Sequence, residues 1–275
     1  MDRKQIRKLL IGEFTFKRMI YSILLIYIFF ALYIFFVADR LIFVPQPASY
    51  TDDEDIIKLS TANQEKFSAL YLPNPNAQYT LLYSHGNAED LGQIRPLLEF
   101  FQAVGFNVFA YDYRGYGTSE GKASEGNTYE EIEIAYTYLT EKIGIPADRL
   151  LLFGRSVGGG PTLNLATRKP IGGIILESTF TQAFRVVVPF PLLPFDKFRN
   201  LDKIKHVNVP VLIVHGREDR TIPFSHGQKL FAAAPEPKLS FWVEEATHND
   251  LFWVAGDDYA EKLQEFEKLV MRSLQ

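Results

Sequence analysis

Leu150-Leu151-Leu152-Phe153-Gly154-Arg155-Ser156-Val157-Gly158-Gly159-Gly160 is a short apolar run, then a turn crowded with glycine, then the opening of a helix. Gly154-Arg155-Ser156-Val157-Gly158 fits G-x-S-x-G, in which a serine rides a sharp strand-to-helix turn. Glycines keep side chains out of so tight a turn and leave the hydroxyl exposed at the top of a sheet. The helix that follows aims its free N–H groups and positive end at the same point. Alone, the pattern also suits an ordinary strand-to-helix turn, so its meaning depends on what surrounds it.

Outward from this stretch the chain alternates short apolar runs with helical patterns. The runs are Thr80–Tyr83, Asn107–Tyr111, Leu150–Phe153, Gly173–Leu176, Val211–Val214 and Leu239–Val243. Helical periodicity covers Leu91–Ala103, Thr128–Ile143, Val157–Thr167, Phe224–Ala234 and Tyr259–Leu274. Runs this brief, apolar without alternation, suit strands buried on both faces of a parallel sheet, so the class is α/β. Two further strands, Ile56–Thr61 and Lys66–Leu72, precede the alternation, behind the link Leu41–Pro47 and the acidic turn Asp52–Asp55. One interval, about 180–206, breaks the rhythm. Pro189, Pro191 and Pro194 exclude a regular helix there. Its apolar Phe190, Leu192, Leu193 and Phe195 read as a short cap lining a hydrophobic groove. A surface loop packing its aromatics on the core is the alternative.

A serine nucleophile on such a turn needs an acid and then a base further along the chain. Of the five histidines, His85 precedes Ser156, His206 and His215 precede any well-placed acid, and His226 opens a helix only seven residues after Asp219. His248 sits in the polar loop Glu244–Asp250 after the last strand, within reach of the sheet's carboxyl edge, and is the expected base. Asp219, past the glycine that ends Val211–Gly216, is the expected acid, with Glu218 as fallback. It would hold the His248 tautomer and stabilise the imidazolium formed as Ser156 loses its proton. The two N–H donors of an oxyanion hole are expected from Val157, directly after the serine, and Asn87, in the His85-Gly86-Asn87 turn after Thr80–Tyr83. No metal or cofactor is expected, because there is no H-E-x-x-H and the glycines lack both P-loop and G-x-G-x-x-G spacing.

Composition narrows the partners. A net charge of −4 over 275 residues argues against nucleic acid as a partner, because there is no overall basic surface to neutralise phosphates. The absence of cysteine excludes disulfides, thiolate metal sites and cysteine nucleophiles. Met19 to Ala38 is a run of 20 residues without a charge, which as a helix spans about 30 Å, the hydrocarbon thickness of a bilayer. A cleaved signal peptide fits less well, since the run exceeds the usual apolar core and no A-x-A-like site follows. A buried soluble helix is the other alternative. The expectation is one transmembrane anchor at 19–38, behind a basic tail at 1–18 and ahead of a domain at 39–275. Arg3, Lys4, Arg7, Lys8, Lys17 and Arg18 before the span outnumber Arg40 and Lys58 after it. That bias places the N-terminus in the cytoplasm and the catalytic domain on the exoplasmic side.

With these residues assigned, residues about 79–254 resemble the α/β-hydrolases. The nearest group is the membrane-associated α/β-hydrolase-domain-17 depalmitoylases with their Bem46-like relatives. The resemblance is carried by Tyr83–Gln93, Tyr111-Asp112-Tyr113-Arg114-Gly115-Tyr116-Gly117-Thr118-Ser119, Gly154–Gly158, Pro210–Asp219, Phe224–Gly227 and Thr247–Asp250. It implies an eight-stranded, mostly parallel sheet with one antiparallel strand near its start, and puts the triad on Ser156, Asp219 and His248. The animal depalmitoylases use a cysteine-rich N-terminus where this chain has an apolar span. The expected activity is therefore hydrolysis of an ester or thioester with a hydrophobic acyl group, by a membrane-anchored serine hydrolase. A serine aminopeptidase of the same fold and a non-catalytic membrane scaffold are the rivals.

Overall fold

The computed structural model describes residue 2 and residues 15–274, so most of the basic tail, residues 3–14, lies outside the described residues. Two units are distinguished, Met1–Leu41 and Ile42–Gln275. Helix α1 (Phe16–Ile42) runs 27 residues, past the uncharged window at both ends. Among the described residues it is the helix long and apolar enough to cross a membrane.

The second unit is built on one eight-stranded sheet. Its strands are β1 (Ile56–Ser60), β2 (Lys66–Leu72), β3 (Thr80–Ser84), β4 (Asn107–Tyr111), β5 (Leu150–Arg155), β6 (Gly173–Glu177), β7 (Val211–Gly216) and β8 (Lys238–Val243). Their spatial order is β1-β2-β4-β3-β5-β6-β7-β8. β2 is antiparallel to both neighbours, and every pairing from β4 to β8 is parallel. β3, β5, β6 and β7 are buried at every position, as their unbroken apolar runs require.

Alternate residues of these strands feed two cores. Leu82, Leu152, Ile174 and Ile213 face one side, with Ile132 of α3 (Glu125–Thr137), Leu163 of α4 (Gly159–Ala166) and Leu230 of α6 (Ser225–Ala233). Leu81, Phe153, Ile175 and Leu212 face the other, with Leu98 of α2 (Leu91–Val104) and Phe266 of α8 (Asp257–Ser273). Two further short helices, α5 (Asn200–Lys203) and α7 (Leu251–Ala255), sit in loops. The N-termini of α2 and α3 are capped by Asp90 and Ser124, whose side chains accept from Gln93 N–H and Asn127 N–H.

The order β4-β3-β5 makes a switch point, because the chain crosses from one side of β3 to the other. β3 and β5 pair in parallel with Ser84 opposite Gly154. That register sets the turn after β3, which carries His85-Gly86-Asn87, beside the turn after β5, which carries Ser156.

The link before β1 is more than a connector. Phe43 is buried, its ring edge-on to Tyr113, Tyr116 and Phe198 at centroid distances of 6.3, 6.4 and 6.0 Å. Asn87 Nδ2 donates to Ile42 O at 2.5 Å, and Val44 N–H donates to Asn87 Oδ1 at 3.0 Å. Ser49 N–H donates to Asp90 at 2.7 Å, and Tyr50 OH to Asp112 at 2.6 Å. The segment thus holds the turn after β3 from outside.

Candidate active site

Ser156 directly follows β5 with φ at 51°, a left-handed conformation that costs a residue with a Cβ and persists only where its surroundings impose it. Gly158 shows part of that constraint. A Cβ on it would collide with Ser84 O and come within 2.8 Å of His85 O, so the helical turn lies directly on the end of β3. Thr179 Oγ1, just beyond β6, donates to Ser156 O at 2.6 Å and fixes the serine's own peptide.

His248 Nε2 lies 3.1 Å from Ser156 Oγ, and His248 Nδ1 lies 2.7 Å from Asp219 Oδ2. The sequence-derived trio therefore meets in space, in a line from acid through ring to hydroxyl. Asp219 is fixed from behind, its Oδ1 accepting from Thr221 N–H at 2.9 Å and Ile222 N–H at 2.8 Å. Burial opposes its ionisation, but hydrogen bonds to His215 and His248 outweigh it and hold the carboxyl well below the usual range. It stays an anion wherever the histidine is neutral. The fallback acid, Glu218, is exposed and spends its main-chain N–H on Ala246 O.

The other histidines are placed elsewhere. His215 is buried with Nε2 on Ile222 O at 2.8 Å, and stands 3.4 Å behind Asp219. His226 is buried against Thr181, and its pKa is lowered to about 4 by burial first and then by nearby positive charge. His85 is buried with Nδ1 on Gly86 O at 2.7 Å, and burial again lowers its pKa. His206 is exposed.

Val157 is the second residue of the 3₁₀ turn Ser156–Gly158, and Asn87 stands in the turn after β3, the strand beside β5. The Asn87 side chain is engaged by Ile42, Val44 and Tyr116. Its main-chain N–H is the donor left to the oxyanion role expected from the sequence. Tyr113 and Tyr116 lie in the stretch that carries the resemblance, but the sequence assigns them no role. Tyr113 OH donates to His85 O at 2.8 Å and Tyr116 OH to Asn87 Oδ1 at 2.5 Å, so both brace the turn. Their spacing in Tyr111–Ser119 was visible, but no local rule ties a tyrosine there to a turn 26 or more residues earlier.

The cap interval folds as a loop with a short 3₁₀ turn at Ala183–Val186, and closes on α5 and a second 3₁₀ turn at Ile204–His206. Phe190 and Leu192 are exposed, Leu193 and Phe195 half-buried, with Phe195 edge-on to Phe184 at 6.0 Å. A cleft of about 180 Å³ reaches His248, lined by Ile94, Leu97, Phe252 and Trp253 together with Arg155. None of the four cap residues borders it. Among the described residues no group of three or more His, Cys, Asp or Glu side chains is disposed to hold a metal ion.

A family model described as "Serine aminopeptidase, S33" matches residues 75–200, a span that includes Ser156 and stops before Asp219. The chain is similar to α/β hydrolase domain-containing protein 17B of Xenopus tropicalis and of Homo sapiens. Each is 43% identical over 196 residues, covering 70% of this chain and 67% of the relative. Among solved structures, an esterase of Pyrococcus furiosus superposes with a TM-score of 0.67 at 19% identity, covering 82% of this chain and 100% of that one.

Proposed function

The chain belongs to the α/β-hydrolase family, alongside the domain-17 proteins, and from that premise we propose a membrane-anchored serine hydrolase that cleaves an ester or thioester with a hydrophobic acyl group. The observation that carries this reading is the unbroken relay from Asp219 through His248 to Ser156, with the serine on a left-handed turn.

Ser156 Oγ attacks the acyl carbonyl while His248 Nε2 takes its proton, and Asp219 holds Nδ1–H and stabilises the imidazolium. The oxyanion of the tetrahedral intermediate is received by the N–H groups of Val157 and Asn87. His248 returns the proton to the leaving group, and water then releases the acyl-enzyme. A thioester depends least on that protonation, because a thiol of pKa about 8.5 departs readily as thiolate. Phe190, Leu192, Leu193 and Phe195 are assigned to the acyl chain. Helix α1 is assigned as a single-pass anchor with the N-terminus cytoplasmic and the domain exoplasmic. Protease added outside sealed right-side-out vesicles should then digest residues 41–275, and full protection would reverse the orientation.

The family model's description favours a second reading, an aminopeptidase. Such an enzyme needs an acid free to bind the substrate's amine. Of the two acids in the cap interval, Asp196 accepts from Phe184 N–H and pairs with Arg185, and Asp202 pairs with Arg199. Both are engaged, which supports the ester. Full-length protein assayed on p-nitrophenyl esters, acyl thioesters and aminoacyl anilides decides between them. Turnover of esters or thioesters that rises with acyl length is expected. Faster cleavage of the anilides would establish the aminopeptidase instead.

A further inference from the structure

Arg155, the residue before the nucleophile, is about nine-tenths buried and has no part in the relay just described. Four of its five N–H donors are accounted for, and they go to three different elements. Nε donates to Glu177 Oε1 at the end of β6, at 3.2 Å. Nη1 pairs with Glu89 Oε1, in the turn after β3. Nη2 donates to His248 O at 2.9 Å and Asn249 Oδ1 at 3.0 Å, in the loop after β8.

Glu89 carries the contact onward, since its other oxygen accepts Gly86 N–H at 2.9 Å, one residue before Asn87. Gly86 is packed tightly against this pair. A Cβ on it would lie 2.7 Å from Arg155 Nη1 and 2.8 Å from Glu89 Oε2. Glu177 is fixed in turn by the Tyr259 hydroxyl. The guanidinium therefore spans the three loops that carry oxyanion donor, nucleophile and base.

We infer that Arg155 is a positioning residue: its planar fork sets the distances among Ser156, the Gly86-Asn87 turn and His248. The inference rests on the serine-hydrolase reading above. Only a guanidinium suits the role, because a lysine's compact ammonium has three donors and cannot address four acceptors. A misplacement of about 1 Å among reacting groups costs about 100-fold in rate. A residue of this kind therefore acts on turnover by each competent site.

The test compares full-length native protein, Arg155→Lys, Glu89→Gln and the double variant. Competent sites are counted with a fluorophosphonate, and kcat and KM for a p-nitrophenyl ester are expressed per titrated site. Glu89 is partly exposed, so Glu89→Gln keeps the test open should Arg155→Lys fail to fold. Arg155 and Gly86 sit on different oxygens of Glu89, and a Gln replaces one of those oxygens with an NH2, so it must release one of the two donors. The expected result is a fall in kcat of about 100-fold in Arg155→Lys and roughly tenfold in Glu89→Gln, with KM changed less than about threefold. The double variant should match Arg155→Lys alone, because the two residues act as one unit. A merely structural role would lower the number of titrated sites and leave kcat per site unchanged, and that result overturns the inference. Failure of the native protein to label at all would instead remove the serine-hydrolase reading, and this inference with it.

Discussion

Replacing Asp219 with Asn probes the orientation of the histidine without removing a side chain. Oδ1 of Asp219 is held by two main-chain N–H groups, from Thr221 and Ile222, while Oδ2 faces His248 Nδ1 at 2.7 Å. An asparagine has a single oxygen, and those two fixed donors require it at the Oδ1 position. Its NH2 is then left against His248 Nδ1, which must change from donor to acceptor. The ring proton moves to Nε2, the atom 3.1 Å from Ser156 Oγ, where it can no longer receive the serine's proton. The equivalent exchange in a serine-protease triad lowers kcat about 10⁴-fold, or about 5.5 kcal/mol at 1.36 kcal/mol per decade. The expected outcome is a kcat reduced by roughly 10³- to 10⁴-fold on a p-nitrophenyl ester, with KM little changed. The assay is steady-state hydrolysis by the full chain in detergent, with circular dichroism to establish that the variant is folded. A loss smaller than tenfold in folded protein would refute the assignment of Asp219 as the residue that sets the tautomer.

Two further predictions concern the scaffold. Phe43→Ala removes a ring enclosed by Tyr113, Tyr116 and Phe198, at a cost of about 3 kcal/mol, or ~6–12 °C in Tm for a domain of this size. An unchanged Tm in differential scanning calorimetry would mean that the segment after α1 does not hold the turn after β3. Burial pushes the Asp112 carboxyl from 3.8 up to about 8, so between those values the native state keeps a proton that the unfolded chain has released. The stability this group contributes is full below about pH 4 and is lost as pH rises through 8. Asp112→Asn should flatten that decline, measured as urea midpoints across pH 4–9. An identical slope in both proteins would mean that Asp112 is ionised in the fold.

The centre of the sheet was legible because β3, β5, β6 and β7 are buried at every position and read as mostly apolar runs. Seven of the eight sequence-derived strands start where the structure starts them, and β8 begins one residue earlier. The meeting of Ser156 with Asp219 and His248 was legible from chain order together with the place of each residue just past a strand, since strand ends at one sheet edge converge whatever the loops between them contain. The Arg155 fork was not. Its acceptors Glu89, Glu177 and His248 lie 66, 22 and 93 residues away, and ion pairs between loops impose no periodicity. Phe43 was hidden differently, because a single aromatic in the run Leu41–Val44 looks the same in a link as in a core. The prolines of the cap interval announced irregular backbone correctly, but a proline says nothing of what its neighbours cover. The cleft at His248 has Phe252 and Trp253 of α7 on its wall, and that helix's five residues are too few to show a helical period.

Every step proposed for this hydrolase begins at the Ser156 hydroxyl. Full-length protein treated with a fluorophosphonate, digested and analysed by mass spectrometry should carry the adduct on the peptide containing Ser156. Ser156→Ala, shown to be folded, should carry none. Equal labelling of the two proteins, or an adduct on any other residue of the native chain, would contradict it.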